Sequence, residues 1–410
     1  MIGDHRDLGE FSSRRYFDNA ATSFPKAPNV AMAMQTWTGG IQASPGRAAY
    51  AEVTTATECM HSCRANLCSL IGTTDPSQII FTLNCTDALS LAIEGRVRAA
   101  RRTGKSIHIV TTAMDHNSVL RPLRELENDG ISWTCVAADP HTGLVCPDDI
   151  AAAITADTRL VAVNHGSNVT GTIQAMTDIG DRCRHADVPL LVDAAQTLGH
   201  RHIDVHEMGI DLLAFPGHKG LLGPLGTGGL WIRPGLEELI APVRLGGTGS
   251  RSEEDVQPTM LPDRYESGSH NMLGIIGLEA STEWIRSQSL YALIEQDLAK
   301  TAYMLESLLR IDGLRVHGPH DPTERCGVFA VTINGCEPDE LARRLDTKYG
   351  ILTRAGIHCA PYAHATIGTL SGGGAVRLSL GAFTTSDDIN AATEALTREA
   401  AALHCVGVQS

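Results

Sequence analysis

Seven short runs of β-branched and aliphatic residues recur between residues 79 and 232, and most of them are separated by segments long enough for a helix. The runs are IIFTL (79–83), SIHIVTT (106–112), ISWTCVA (131–137), RLVAVNH (159–165), PLLVDAA (189–195), DLLAF (211–215) and GGLWI (228–232). Strands that alternate with helices form parallel sheets, because the helix returns the chain to the edge where the next strand starts. The rhythm therefore predicts an α/β fold with a mostly parallel, seven-stranded sheet covered by helices.

The pattern changes after the Gly-rich segment 245–269, and this change predicts a second, smaller unit. Helix-length stretches follow at 272–287 and 290–310. They lead to the strand-like runs GVFAVTIN (327–334) and AVRLSLG (375–381) and to a last helix at 387–403. We therefore predict a large domain over residues 31–285 and a small α+β domain made of 1–30 together with 286–410.

The charge balance and the lack of long apolar runs restrict the partners of the chain. It carries 33 Lys and Arg against 47 Asp and Glu, a net charge of -14, so its surface repels nucleic-acid phosphates and anionic lipid headgroups. The opening residues lack the apolar core of a secretory signal, and no run approaches the roughly 18 apolar residues of a membrane-spanning helix. Free thiols in a reducing compartment explain the 11 cysteines. We predict a cytoplasmic protein with neither a nucleic-acid nor a membrane partner.

Three local patterns that could indicate other chemistries do not meet the geometry those chemistries need. Cys59, Cys63 and Cys68 share one predicted helix, but Cys68 points away from the other two, so they cannot surround one metal ion. The GKS at 104–106 precedes a strand and has Ala at 99 where a phosphate loop has Gly. The glycines of 217–229 do not form GxGxxG. The sequence therefore predicts no metal site, no phosphate loop and no nicotinamide cofactor.

Polar residues follow five of the predicted strands, at the edge of an open α/β sheet where ligands bind. A single polar residue at such a position is usually a helix cap or a turn former. Five groups in succession indicate a site instead. They are Thr86 and Asp87; Asp115, His116 and Asn117; Asn164, His165 and Asn168; Asp193 and Gln196; and His218 and Lys219.

Lys219 is the lysine best placed for chemistry among the five in the chain, since Lys26, Lys105, Lys300 and Lys348 do not follow a predicted strand. Its Pro, Gly and apolar neighbours disfavour the charged ammonium and lower the pKa of the amine, as an imine-forming lysine requires. Asp193, at the end of another apolar strand, could pair with a protonated pyridine nitrogen. Together they point to pyridoxal 5'-phosphate.

Five segments, taken in their order and spacing, resemble the class V aminotransferase superfamily, and within it the cysteine desulfurases and selenocysteine lyases. They are MDHNSV (114–119), VNHGSNVTGT (163–172), VDAAQ (192–196), FPGHKG (215–220) and RAGIHCAP (354–361). The likeness extends from FDNAATSFPKAP (17–28) to VRLSLGAFTT (376–385), which is nearly the whole chain.

The resemblance implies a homodimer of pyridoxal-phosphate fold type I and assigns a role to each matching position. Lys219 would bond to the cofactor and move the substrate Cα proton. The other cofactor contacts would be His116 stacked on the ring, Asp193 at the ring nitrogen, Gln196 near the ring hydroxyl, Thr86 and His218 at the phosphate, and Ser269 reaching that phosphate from the other subunit. Asn168 and Arg377 would bind the substrate carboxylate, with Arg354 and His358 among the substrate-binding residues.

Cys359 is the position that distinguishes the branches of this superfamily. The resemblance makes it the sulfur-accepting thiol of a compact loop in the small domain, because Arg354, Gly356 and His358 match the RxGxHC segment of desulfurases. Arg354 and His358 would also favour the thiolate. The departures are Pro216 in place of a hydroxyl residue, Asn84-Cys85 before Thr86, and Ile357 where His is frequent.

The function expected from the resemblance is that of a cysteine desulfurase. L-Cysteine, with L-selenocysteine as another possible substrate, would yield L-alanine and a persulfide on Cys359 that passes to an acceptor protein or small thiol. A selenocysteine lyase, another class V aminotransferase or lyase, and a non-catalytic sulfur-assembly scaffold are the alternatives. The acceptor pathway, whether iron–sulfur cluster assembly, tRNA thiolation or another, stays open.

Overall fold

A computed structural model describes residues 14–46, 48–251 and 253–407 of the chain. The strands are β1 (Arg15–Tyr16), β2 (Ile79–Thr82), β3 (His108–Thr112), β4 (Ser132–Val136), β5 (Thr158–Asn164), β6 (Leu190–Asp193), β7 (Leu212–Pro216), β8 (Gly228–Ile232), β9 (Leu314–His317), β10 (Val328–Ile333), β11 (Ile351–Leu352), β12 (Arg354–Gly356) and β13 (Ala375–Ser379). The α-helices are α1 (Val30–Gly39), α2 (Ala51–Leu70), α3 (Cys85–Arg101), α4 (Asn117–Glu127), α5 (Pro147–Ala153), α6 (Met176–His185), α7 (Met272–Ser287), α8 (Leu290–Leu309), α9 (Pro338–Tyr349), α10 (Pro361–Thr366) and α11 (Ser386–Gly407).

The large sheet contains all seven strands that the sequence predicts, in the order β2-β8-β7-β6-β5-β3-β4. The neighbours from β7 to β4 are parallel, whereas β8 runs antiparallel to both β7 and β2. The connection from β7 to β8 contains no helix, and a short connection can join only antiparallel neighbours. The predicted α/β fold with a mostly parallel seven-stranded sheet is confirmed.

Both faces of the large sheet are buried, as the apolar runs require. Successive side chains of a strand point to opposite faces, so on β6 Leu190 and Val192 join one apolar cluster and Leu191 joins the other. Helices α2, α6 and α7 contribute side chains to the first cluster, and α3 and α4 contribute to the second. The sheet thus forms a rigid layer whose carboxyl edge presents the polar residues that follow the strands.

A second, antiparallel sheet has the order β12-β13-β10-β9, and its apolar side chains pack with those of α8, α9 and α11. The N-terminal segment joins this part of the chain: β1 pairs with β11, and Asp18 forms a bridge with Ser379. The division into domains of 31–285 and 1–30 with 286–410 stays a prediction. Its boundary at 285 falls inside α7.

Helix α2 is unbroken across its three cysteines, as the sequence predicts. Cys63 and Cys68 are buried and Cys59 is half-buried, so their thiols pack within the protein. None of the helices in the described part of the chain combines the length and the apolar character needed to cross a bilayer.

We expect Leu191→Ala to lower the free energy of unfolding by about 2–5 kcal/mol, since it leaves a cavity beneath the centre of the large sheet. Leu309→Ala is the control, because Leu309 is 46% exposed at the end of α8. Urea denaturation followed by circular dichroism measures both variants. Equal losses in the two variants would contradict this view of the core.

Candidate active site

A cleft opens at the carboxyl edge of the large sheet, where the segments after β2, β3, β5, β6 and β7 meet. Its empty volume, including the part that is open to solvent, is about 530 Å³. The sequence-predicted residues that line it are Thr86, His116, Asn164, Asn168, Asp193, Gln196, His218 and Lys219. The parallel strands thus bring these side chains together from positions up to 133 residues apart in the chain, counted from Thr86 to Lys219.

Asp193 lies at the end of β6 with its carboxylate in the lining of the cleft. Its Oδ1 accepts a hydrogen bond from the backbone N–H of Ala195 at 2.8 Å and another from the Cys85 thiol at 3.4 Å. Burial, together with the charge of Asp193, raises the pKa of that thiol well above its ordinary value. Cys85 is therefore a neutral donor to the carboxylate, which gives this sequence departure a physical contact.

Lys219 lies on the segment after β7, and its amine faces the cleft. Desolvation lowers the pKa of Lys219, and the nearby Asp193 carboxylate partly opposes that shift. The backbone around Lys219 is fixed by a close approach: a Cβ on Gly199, whose φ is +89, would lie 2.3 Å from the carbonyl oxygen of Gly220. Glycine is required there, because only a residue without a side chain allows this contact.

The carbonyl of His218 is a second anchor of the lysine segment. It accepts hydrogen bonds from the Lys26 Nζ at 2.9 Å and from the backbone N–H of Ser23 at 3.0 Å. Burial lowers the pKa of Lys26 to about 8. The His218 ring contacts the Thr22 hydroxyl through Nδ1 at 3.0 Å, and its pKa falls to about 4 because the ring is buried. The N-terminal segment therefore holds the residue that precedes Lys219.

His116 caps the N-terminus of α4 and faces the cleft. Its Nδ1 accepts a hydrogen bond from the backbone N–H of Ser118 at 3.1 Å, so the proton of the neutral ring is on Nε2. Burial lowers the pKa of His116 to about 4 and keeps the ring neutral near pH 7. The Ser118 hydroxyl also contacts Thr86 Oγ1 at 2.8 Å, which joins the loops after β2 and β3.

Arg377, on β13, is a buried guanidinium close to Asn168. Its Nη2 donates to Asp18 Oδ1 at 2.7 Å and its Nη1 donates to the Asn168 carbonyl at 3.1 Å. The Arg377 Nε is buried and has no hydrogen-bond partner among the described residues. The Asn168 side chain donates in turn to the His358 carbonyl at 2.6 Å. The guanidinium therefore lies beside the cleft with one carboxylate already bound.

Cys359 follows β12 on a tight turn that contacts the large sheet. The backbone N–H of Asn117 donates to the Cys359 carbonyl at 2.8 Å, which places the cysteine next to the His116 loop. Among the ten cysteine side chains in the described part of the chain, only Cys146 and Cys359 are exposed. A solvent-accessible thiol is therefore fixed near the edge of the cleft.

His358 is buried, and both ring nitrogens have partners within the protein: the Arg354 carbonyl at Nε2 and His364 at Nδ1. No ring nitrogen is left to bind a substrate. Burial lowers the pKa of His358 to about 3 and favours its neutral ring, so stabilisation of a Cys359 thiolate by His358 stays a prediction. The Arg354 side chain is exposed.

Two other predicted cofactor contacts, Ser269 and Gln196, differ in where they lie relative to the cleft. Ser269 lies outside the cleft of its own chain, in a separate depression with Glu266 and His270. Its reach into the cleft of another subunit stays a prediction. Gln196 lines the cleft, and its amide donates to the Ala20 carbonyl at 3.1 Å.

Two of the polar residues that follow the strands, Asp115 and Asp87, do not line the cleft. Asp115 accepts hydrogen bonds from the Thr111 and Thr112 hydroxyls and from the Asn164 N–H, and burial raises its pKa to about 6. Asp87 pairs with Arg244 on the surface side of α3. These residues fit the reading of a strand-terminal polar group as a turn former.

Sequence reasoning missed several residues that shape the site. Asp18, Lys26 and Ser118 lie within the segments that carry the family resemblance, so the signal for them was present. His364 had no such signal, because a single histidine in a short helix has no characteristic spacing.

The sheet, its lysine and the opposed buried aspartate define an α/β enzyme of the aminotransferase type. The family model of aminotransferase class-V matches residues 15–392, and the chain belongs to this family. A curated relative from Methanothermobacter thermautotrophicus, described as a "Probable cysteine desulfurase", is 33% identical over 95% of this chain and 96% of its own length. A cysteine desulfurase of Yersinia pseudotuberculosis is 33% identical over 84% of this chain and 83% of its own.

Solved structures give the same result for the fold. The apo cysteine desulfurase of Thermococcus onnurineus NA1 superposes with a TM-score of 0.87 at 29% identity, covering 95% of both chains. The cysteine desulfurase CsdA of Escherichia coli gives a TM-score of 0.82 at 25% identity over 94% of both chains. At these coverages the likeness extends over most of the chain.

The family implies pyridoxal 5'-phosphate, and the chemistry of the cleft fits this group. The cleft offers the Lys219 amine to an aldehyde, the Asp193 carboxylate to a protonated ring nitrogen, and the hydroxyls of Thr86 and Ser118 to a phosphate. Asn164 also lines the cleft, and its Oδ1 is buried with no hydrogen-bond partner among the described residues. Pro216 offers no hydroxyl, so the phosphate contacts would come from the loops after β2, β3 and β7.

We expect Lys219→Ala to abolish the visible absorbance that pyridoxal phosphate gives when bound covalently to the protein, because the variant lacks the amine in the cleft. Lys105→Ala is the control, since Lys105 is an exposed turn residue. The absorbance is measured after purification with added cofactor and removal of the unbound part. Its persistence in Lys219→Ala would refute the assignment of Lys219.

Proposed function

We propose that the protein is a cysteine desulfurase that converts L-cysteine to L-alanine and retains the sulfur as a persulfide on Cys359. The observation that carries this proposal is the placement of an exposed thiol on a turn bonded to the His116 loop of the cleft. An aminotransferase needs no such thiol, whereas a desulfurase needs one that can reach the substrate sulfur. The names of the relatives agree with this choice.

Lys219 is the residue we assign to proton transfer at the substrate Cα. Desolvation favours its neutral amine, which can accept that proton and later return one. Bound pyridoxal phosphate supplies an electron-withdrawing ring that stabilises negative charge at Cα. Asp193 would keep the ring nitrogen protonated, and His116 would cover the ring face. We expect the cofactor phosphate to be held by Thr86, Ser118 and His218, together with Ser269 of a second subunit.

Arg377 is the residue we assign to the substrate carboxylate, with Asn168 beside it. Asp18 already binds one edge of the guanidinium and holds it in one orientation. A guanidinium has five N–H donors, so the remaining donors can bind a second carboxylate. The exposed Arg354 is an additional cation near this position, because β12 and β13 pair Arg354 with Arg377.

Cys359 acts as the nucleophile on the substrate sulfur. Its thiolate forms an S–S bond while the substrate Cβ–S bond breaks, and the electron pair of that bond stays with the carbon, which is protonated to give alanine. The terminal persulfide sulfur then passes to a thiol of an acceptor protein or small molecule. We propose that this takes place in the cytoplasm in a homodimer whose small domains carry the Cys359 loops.

We expect Cys359→Ala to retain bound cofactor but to produce neither alanine nor sulfide from L-cysteine in the presence of a reductant. Cys146→Ala removes the other exposed thiol of the described residues and is expected to keep the full rate. The amounts of alanine and sulfide that each variant forms are measured. Unchanged turnover of Cys359→Ala would refute the proposed nucleophile, and a keto acid in place of alanine would indicate transamination.

Replacing Arg377 by Lys should raise the KM for L-cysteine by about 10- to 100-fold, because an ammonium cannot bind Asp18 and a substrate carboxylate with parallel hydrogen bonds. Arg310→Lys is the matched control on the exposed end of α8. Steady-state kinetics with varied L-cysteine measure the effect. A KM equal to that of the unmodified protein would show that Arg377 serves only the pair with Asp18.

A further inference from the structure

A network of three hydrogen-bonded side chains, His358, His364 and Thr369, lies buried behind Cys359. His358 Nδ1 is 3.1 Å from His364 Nε2, and His364 Nδ1 is 2.7 Å from the Thr369 hydroxyl. The two imidazole rings are stacked with their centroids 5.3 Å apart. None of these three side chains is among those that line the cleft.

The carbonyl of Arg354 determines the direction of the hydrogen bonds in this network. A carbonyl can only accept, so His358 Nε2, 3.2 Å away, carries a proton and donates it. Because a neutral imidazole has one N–H, His358 Nδ1 accepts from His364 Nε2. His364 Nδ1 then accepts from the Thr369 hydroxyl, whose single proton points to this nitrogen at 2.7 Å in preference to the His364 carbonyl at 3.4 Å. Burial lowers the pKa of His358 to about 3 and that of His364 to about 4, so both rings are neutral, and the hydrogen bonds then hold each ring in a single tautomer with its proton on Nε2.

The turn that bears Cys359 depends on contacts with its surroundings, because His358 and Cys359 both have left-handed backbone angles, with φ of 53 and 58. Residues with a side chain rarely adopt this conformation unless surrounding contacts impose it. From the side of the cleft, Asn168 and Asn117 bind the two carbonyls of the turn. From the buried side, the fixed His358 ring binds back to the Arg354 carbonyl.

We propose that His364 is a positioning residue which, with Thr369, locks the His358 ring and so fixes the turn that presents the Cys359 thiol to the substrate. This inference rests on the proposed function and adds to it. His364 and Thr369 touch neither substrate nor cofactor, and they act through His358. Their effect falls on the step at the thiol and leaves proton transfer by Lys219 intact.

Paired substitutions separate this role from a general loss of packing. His364→Leu keeps the volume and removes the donor, whereas His364→Gln has an amide N–H for His358 and an oxygen for Thr369. Thr369→Val removes the hydroxyl and Thr369→Ser keeps it. Thr366→Val is the control, because the Thr366 hydroxyl donates only to the backbone carbonyl of Tyr362.

Two rates are compared in each variant: alanine formation from L-cysteine, which needs Cys359, and exchange of the Cα proton of L-alanine in D₂O, which does not. We expect His364→Leu and Thr369→Val to lose about tenfold or more in alanine formation, with Cα exchange within about threefold of the unmodified protein. The variants that keep the hydrogen bonds, His364→Gln and Thr369→Ser, and the Thr366→Val control should stay within about threefold of the unmodified protein in both rates. Equal losses in both rates, or no rescue by His364→Gln, would overturn the proposal.

Histidine-selective ¹⁵N NMR measures the tautomers and the protonation of His358 and His364 directly, without any turnover of substrate. Both rings should be in the Nε2–H form and should not titrate between pH 5 and 8 in the unmodified protein. In Thr369→Val the signals of His364 should change. A ring of His358 or His364 that titrates near pH 6.5 would refute this inference, whereas the absence of alanine from the unmodified protein would refute the proposed function. The two failures are therefore distinguishable.

Discussion

Two hydrogen bonds between sheets hold the turn that bears Cys359 against the cleft, and the proposed chemistry depends on them. The Asn117 N–H binds the Cys359 carbonyl, and the Asn168 amide binds the His358 carbonyl. The donors belong to loops of the large sheet, while the acceptors follow β12 of the small sheet. Apolar packing reinforces this join, since Ala360, Ala363 and Ile367 belong to the same apolar cluster as the large sheet. The thiol is thus placed by contacts that do not involve its own sulfur.

Burial determines which groups of the site are charged. It lowers the pKa of Lys219, His116 and His218, so these residues favour their neutral forms and can accept or share protons. Burial also lowers the pKa of Arg377, and the Asp18 carboxylate, which accepts a hydrogen bond from its guanidinium, opposes that shift. The result is a cleft lined by the Asp193 carboxylate and by an amine of lowered pKa, with a guanidinium at its margin, which suits a zwitterionic amino-acid substrate.

The sequence predicted the parts that follow from repeated local patterns. Strands such as β6 and β7 are apolar runs, and their carboxyl ends had to meet at one edge, so Asp193 and Lys219, which end or follow them, could be assigned to one site in advance. The strand β12 has three residues and no pattern of its own, since it is defined by pairing with β13. The partners of His358 likewise depend on how α10 packs behind the turn. The contact of Cys85 with Asp193 joins residues 108 positions apart and could not be read from either segment.

The central claim is that Cys359 receives the sulfur atom of the substrate, and the most direct measurement is the mass of the peptide that contains it. The cofactor-loaded protein is mixed with L-cysteine without a reductant, treated with an alkylating agent and digested for mass spectrometry. We expect the Cys359 peptide to gain one sulfur atom and the Cys146 peptide to gain none. Alanine release with the added sulfur absent from Cys359, or present equally on Cys146, would contradict it.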